Sequence, residues 1–115
     1  MEDNKLIAEF MGYHYVAETK ITHDYFMVKG RYIRPNGIKF DTDWNWLMDV
    51  VDKIESIEDG EYDVNILKNG TQIINYRAGG IVICDNVGEI SYSEKIEHVY
   101  QAVVNFIKWY EQNNN

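Results

Sequence analysis

Residues 41–56, DTDWNWLMDVVDKIES, set the tightest limit on what this chain can fold into. A polar start signal runs straight into an apolar stripe at helical spacing. Trp44, Leu47, Met48, Val51 and Ile54 follow i, i+3, i+4, i+7 and i+10, which predicts one buried face. Thr42 or Asp43 can accept a hydrogen bond from the free amides of the first turn, and the aspartates favour the positive end of the helix dipole. Asp49, Asp52, Lys53 and Glu55 fall towards the opposite side. Trp46 and Val50 sit off the main stripe, so Trp46 is expected to be only partly covered. A helix with one apolar face needs a second layer to cover it.

Two further helices read from the ends of the chain. Ile96, Val99, Tyr100, Val103, Phe106, Ile107 and Tyr110 repeat at helical spacing, and Ser91 with Glu94 fits a capping box, with Ser93 as the alternative cap. Near the start, Leu6, Ile7, Phe10 and Met11 share a face in Lys5–Met11, behind Asp3 or Asn4 as caps and ahead of Gly12 as the stop. That helix is too short to stand alone and is expected only if its apolar face is packed.

Between the helices the pattern is that of strands and turns. Residues 13–24 read as irregular with some strand character. Tyr25–Ile33 is rich in aromatic and β-branched residues and reads as one strand, with Gly30 as a bulge or a close approach. Arg34-Pro35-Asn36-Gly37 predicts a turn, and Ile38–Phe40 a short returning strand. Tyr62, Val64 and Ile66 alternate with polar residues, and Lys68-Asn69-Gly70 is a hairpin signal leading into Thr71–Tyr76. Ile81–Cys84 reads as a well-buried strand, and Glu89–Tyr92 as a brief edge strand. The whole, residues 1–115, predicts a single α+β sandwich domain: three helices with an antiparallel or mixed sheet. A chain of 115 residues is long enough for one core.

The charge bounds the partners. The net charge is −8 and the pI near 4.7, so direct binding to a nucleic-acid backbone is disfavoured and good solubility is expected. Cys84 is the only cysteine, which excludes an internal disulfide. No basic leader and no long apolar run is present, so a cytoplasmic location and no membrane contact are expected.

No catalytic constellation reads from the residues. The three histidines, His14, His23 and His98, have no partner at metal-binding spacing, and His23-Asp24 are neighbours whose side chains point apart in a strand. There is no phosphate loop, nucleophile elbow or dinucleotide fingerprint. Asp41-x-Asp43 offers too few oxygens for a cation site, and helix capping already explains it. No catalytic, cofactor-binding or metal residue is therefore assigned. The candidates for contact are Asp41 and Asp43, where a turn meets the helix start, and Trp46 and Trp109, since exposed tryptophan favours binding.

Three phrases carry a resemblance. Asn4–Gly12, NKLIAEFMG, the central DTDWNWLMDVVDKIE, and the C-terminal run containing VVNFIKWY are similar to those of the phage ABA sandwich domain family of small phage and prophage proteins. The chain departs from the family phrase at Asp49, where proline is common, and near Asp41, where Tyr-His is common. The resemblance implies an α/β sandwich and a role in a host bacterial cytoplasm, and brings no activity, cofactor or catalytic residue.

Two functions follow as expectations. The first is a non-enzymatic accessory module that binds a host protein or a second copy of itself as a homo-oligomer. The alternative is a small-ligand binder or minor enzyme with its pocket near the start of the central helix. A weaker third is mimicry of a nucleic-acid backbone by Asp49, Asp52, Glu55, Glu58 and Asp59.

Overall fold

The structure, a computed structural model, describes residues 2–67, 70–77, 79–86 and 92–113. Its elements are α1 (Glu2–Phe10), β1 (His14–Val16), β2 (Tyr25–Val28), β3 (Arg31–Ile33), α2 (Trp44–Ser56), β4 (Tyr62–Leu67), β5 (Gly70–Asn75), β6 (Gly80–Asn86) and α3 (Tyr92–Asn113). The chain is an α+β fold. Its strands form two separate antiparallel sheets, ordered β1-β2-β3 and β4-β5-β6.

The element that ties the fold together is α3. It lies on β5 and β6 and touches both other helices, while α2 covers β4 and the flank of α3. The consequence is visible in its sequence. Val99, Ala102, Val103, Val104, Phe106 and Ile107 are all fully buried, a broader band than a single stripe supplies, because α3 is covered on two sides. One cluster of buried residues draws on all three helices and both sheets.

The central helix is rotated from its expected setting. Its buried residues are Leu47, Val50, Val51 and Ile54, whereas Met48 is 38% exposed and Trp44 only half-buried. Leu47, Val50, Val51 and Ile54 are themselves an i, i+3, i+4, i+7 set, and it is this set that meets β4 and α3. The capping expectation holds. Asp43 is the N-cap and its carboxylate accepts from the Asn45 amide at 2.9 Å.

The first sheet differs most from the sequence reading. The run 25–33 is a hairpin, broken at Lys29-Gly30, with Val28 paired to Arg31. Pro35–Gly37 forms a 3-10 turn, and Ile38 and Phe40 are buried without joining a sheet. Their apolar character reflects core packing, which a short run cannot distinguish from a strand. At the other end, β6 is an edge strand, so Ile81 is 58% exposed and Cys84 is exposed, not buried. Met11, Gly12 and Tyr13 close α1 through backbone bonds to Ile7, Glu9 and Ala8, with Gly12 at φ 88°. The predicted cap at Ser91 and residues 89–91 of the predicted strand Glu89–Tyr92 lie outside the described residues, whereas Tyr92 already opens α3 and Ser93, the alternative cap, lies inside it. Among the described residues no helix is long and apolar enough to cross a membrane.

Candidate functional site

The β2–β3 hairpin and the start of α2 face each other across a cleft of about 620 Å³. One wall follows from the hairpin register. Phe26 pairs with Ile33 and Val28 with Arg31, so these residues share one face of the sheet, and Val28, Arg31 and Ile33 reach the cleft. The loop joining the strands has only two residues, Lys29 and Gly30, at φ 51° and 81°. Positive φ at both positions is the hairpin turn whose twist matches the strands. Asn or Gly suits its first position. Lysine there costs about 1 kcal/mol, because its Cβ crowds the following carbonyl.

The opposite wall is the first two turns of α2, through Asn45, Trp46 and Asp49. The aromatic lining is Tyr13 and Trp46, both packed on the buried Phe40. Phe40 sits between Tyr13 (ring centroids 5.9 Å apart) and Trp46 (5.2 Å, near-perpendicular). Burial, followed by the charge of Asp49, raises the pKa of the Tyr13 hydroxyl, which keeps it protonated and able to donate.

The cleft is open in its bonding. Among the described residues, the side chains of Lys29, Arg31, Asn45 and Asp49 make no hydrogen bond and no ion pair. A second, smaller hollow of about 150 Å³ lies by Asn4, Lys5, Tyr15 and Asp24. Its polar groups are already engaged. Lys5 Nζ sits 4.1 Å from the Tyr15 ring centroid, and the Tyr15 hydroxyl donates to Asp24 at 2.9 Å. The larger cleft therefore has unspent recognition groups where the smaller one does not.

Charge is unevenly distributed along the chain. Residues 19–40 hold Lys20, Lys29, Arg31, Arg34 and Lys39 against a single acid, Asp24, in a chain of net charge −8. The cleft's cations come from this one basic segment.

Of the four candidates from the sequence, only Trp46 lines the cleft. Asp41 accepts from the Asn4 amide at 3.2 Å, and Asn4 Oδ1 accepts from the Tyr100 hydroxyl at 2.9 Å, a relay joining α1, α3 and the lead-in to α2. Burial, then the nearby Asp3 and Asp41 charges, push the Tyr100 pKa well above the tyrosine range. Asp43 is occupied as the cap of α2. Trp109 is half-buried in a cluster with Tyr62 (6.2 Å) and Phe106 (5.9 Å). Among the described residues no three or more His, Cys, Asp or Glu side chains converge to hold a metal. His23 lies beside Glu18, with Nδ1 3.6 Å from its carboxylate, in an exposed loop.

The capping role of Asp43 gives a direct expectation. Asp43→Ala should lower stability by about 1 kcal/mol, and Asp43→Ser should restore most of it, since both carboxylate and hydroxyl accept from first-turn amides. Urea denaturation of the three proteins checks this, and an unchanged midpoint in the alanine variant would remove the cap from the account.

Tyr13, Lys29, Arg31 and Asn45 were not singled out as site residues by the sequence, and Asp49 was read there only as part of an acidic strip and as a departure from the family phrase. The signal available for Lys29 and Arg31 was Lys29-Gly30 inside an otherwise apolar run, which is a two-residue turn as well as a bulge. No protein-family model matches the chain, and neither a curated protein nor a solved structure is similar to it at a significant level.

Proposed function

We propose that the protein is a non-enzymatic binding module that takes a small ligand into the Trp46 cleft, as an accessory protein of the phage or prophage type that its three phrases resemble. It would act in the host bacterial cytoplasm. The observation that carries this reading is the set of unpaired polar groups around an aromatic lining, in a cleft of about 620 Å³. Sites for drug-sized ligands have this character: concave, largely apolar, roughly 300–1,000 Å³, with a few convergent polar groups. The charged residues are spread over two walls and form no hydrogen-bonded acid–base pair of the kind that moves a proton, which favours binding over catalysis.

A thermal-shift screen of nucleotides, sugars, amino acids and divalent ions tests it. The screen is run on the wild type and on Asn45→Trp, which fills the mouth of the cleft from an exposed position. At a hundred times its Kd a ligand adds about 2.7 kcal/mol of stability. A compound that stabilises the wild type should leave Asn45→Trp unmoved. No stabilisation by any compound, or equal stabilisation of both proteins, would end this reading.

One observation favours the reading in which the partner is a host protein or a second copy. Tyr32 is 72% exposed and packs edge-on against Tyr25 at 5.0 Å, on the face of the first sheet away from the cleft. Exposed aromatics are frequent anchors of protein interfaces. Light scattering of the wild type and Tyr32→Ala tests the second-copy form of this reading, because only a self-interface through this face changes the mass of the purified protein with the substitution.

A further inference from the structure

We infer that the ligand of the Trp46 cleft is a nucleoside phosphate, its phosphate held by Arg31 and Lys29 and its base laid against Trp46 and Tyr13. This rests on the binding reading above and adds the chemical class.

Size is the first argument. A cleft of about 620 Å³ is far larger than a free phosphate or a single amino acid fills, and it matches a nucleotide-sized body. Charge is the second. Arg31 and Lys29 sit on one wall, and among the described residues neither is paired. A guanidinium presents a planar fork that matches phosphate oxygens two at a time, and a lysine adds a point charge.

Asp49 on the facing wall decides between ligands. Its carboxylate repels a bare anion but accepts from a hydroxyl or an amine. The occupant must therefore carry an acidic end and a hydrogen-bond donor, separated by enough body to bridge the walls. A ribose hydroxyl or an exocyclic base amine supplies the donor. The aromatic lining supplies the remaining term, because every base has a flat face to stack.

The turn itself is the fourth argument. Lys29 holds a left-handed conformation at φ 51°, where asparagine or glycine would relax the backbone. Residues kept in such conformations concentrate at functional sites. Here the strained residue is one that lines the cleft.

A longer strand is disfavoured. Beyond the basic segment 19–40 the surface is acidic, so each further phosphate meets repulsion instead of a new cation. The site is thus suited to a mononucleotide and not to the end of a nucleic acid.

Calorimetric titration of the full chain tests this with AMP, GMP, CMP and UMP, with adenosine, guanosine, cytidine and uridine, with inorganic phosphate and with a tetranucleotide. At least one mononucleotide should saturate, and its nucleoside, free phosphate and the tetranucleotide should each bind at least tenfold more weakly. Arg31 is exposed, so Arg31→Gln should keep the wild-type melting temperature and raise the mononucleotide Kd tenfold or more. Lys29→Asn should raise the melting temperature while weakening binding, a split that a purely structural lysine would not give. Failure of every mononucleotide, unchanged affinity in Arg31→Gln, or tighter binding of the tetranucleotide would overturn the assignment. If nucleotides fail but another compound stabilises the wild type and not Asn45→Trp, the nucleotide class falls and the binding module stands. If no compound does, both fall.

Discussion

Phe106→Ala is expected to remove about 3–5 kcal/mol of stability, the cost of deleting a buried phenylalanine and leaving its cavity. A domain of this kind has only about 5–15 kcal/mol to lose. Phe106 is fully buried on α3 and stands at the centre of an aromatic group. Its ring stacks on Tyr110 at 5.7 Å, meets Tyr62 edge-on at 5.0 Å and touches Trp109 at 5.9 Å. Truncation strips the contacts of three rings at once, and two of those rings carry polar ends that fix them in place. The Tyr110 hydroxyl donates to Glu58 at 2.6 Å, and this bond, with burial, raises its pKa to about 12. The cluster therefore cannot easily collapse into the void, which puts the expected loss towards the upper end of the range. Met48→Ala is the informative comparison. Periodicity alone places Met48 on the buried face of α2, yet it is 38% exposed, so its truncation should cost well under the roughly 2–5 kcal/mol of a buried methionine. Urea denaturation of both variants measures the contrast. Similar losses at the two positions would return α2 to the setting its apolar spacing implies.

That comparison shows where sequence and structure part. The helices were legible because their signals are local and repeated. Asp43 capped the central helix as expected, and Gly12 ended the first. What the period could not resolve was the angle of the face. Trp44, Leu47, Met48, Val51 and Ile54 and the observed set differ by a partial turn, and only the neighbours choose between them. β4 was legible through alternation and β5 through the hairpin signal that leads into it, whereas the buried Ile38 and Phe40 mimicked a strand because burial and pairing leave the same apolar mark. The candidate site was the least legible part. Trp46 was visible as a residue off its stripe, but its companions come from Tyr13, from the hairpin and from a later turn of α2, and they meet only in the folded chain. The overall charge of −8 also concealed the basic segment that supplies Lys29 and Arg31. Asp41 and Asp43 were drawn into the expected site by proximity along the chain. In space, one bonds to Asn4 and the other to its own helix.

Glu55 offers the second large effect, with opposite signs for two substitutions. On α2, its Oε2 accepts from the Val64 amide at 3.2 Å, closing a donor on the free edge of β4. The same carboxyl has a raised pKa. Burial is the main cause, and a hydrogen bond to the Asp63 carboxyl and the charges of Asp63 and Asp52 add to it, while the Val64 bond opposes them. The folded state thus binds its proton more tightly than the unfolded chain. From the ordinary glutamate value of 4.5 upward, the native state holds more protons than the unfolded one until Glu55 has ionised. Stability contributed by this group therefore falls as pH rises through that window and is flat above it. Glu55→Gln keeps an oxygen for the Val64 amide and offers a donor to Asp63, so at neutral pH it should be more stable than the wild type and should lack this slope. Glu55→Ala removes the acceptor instead. The Val64 backbone, at a residue 8% exposed, then loses its partner, at a cost of about 1–3 kcal/mol. It also leaves an open strand edge, the feature most prone to pair with another chain. Urea denaturation of the three proteins from mildly acidic to neutral pH reads both effects. A glutamine variant that loses as much as the alanine variant would show that the negative charge, and not the hydrogen bond, holds α2 to the edge of β4.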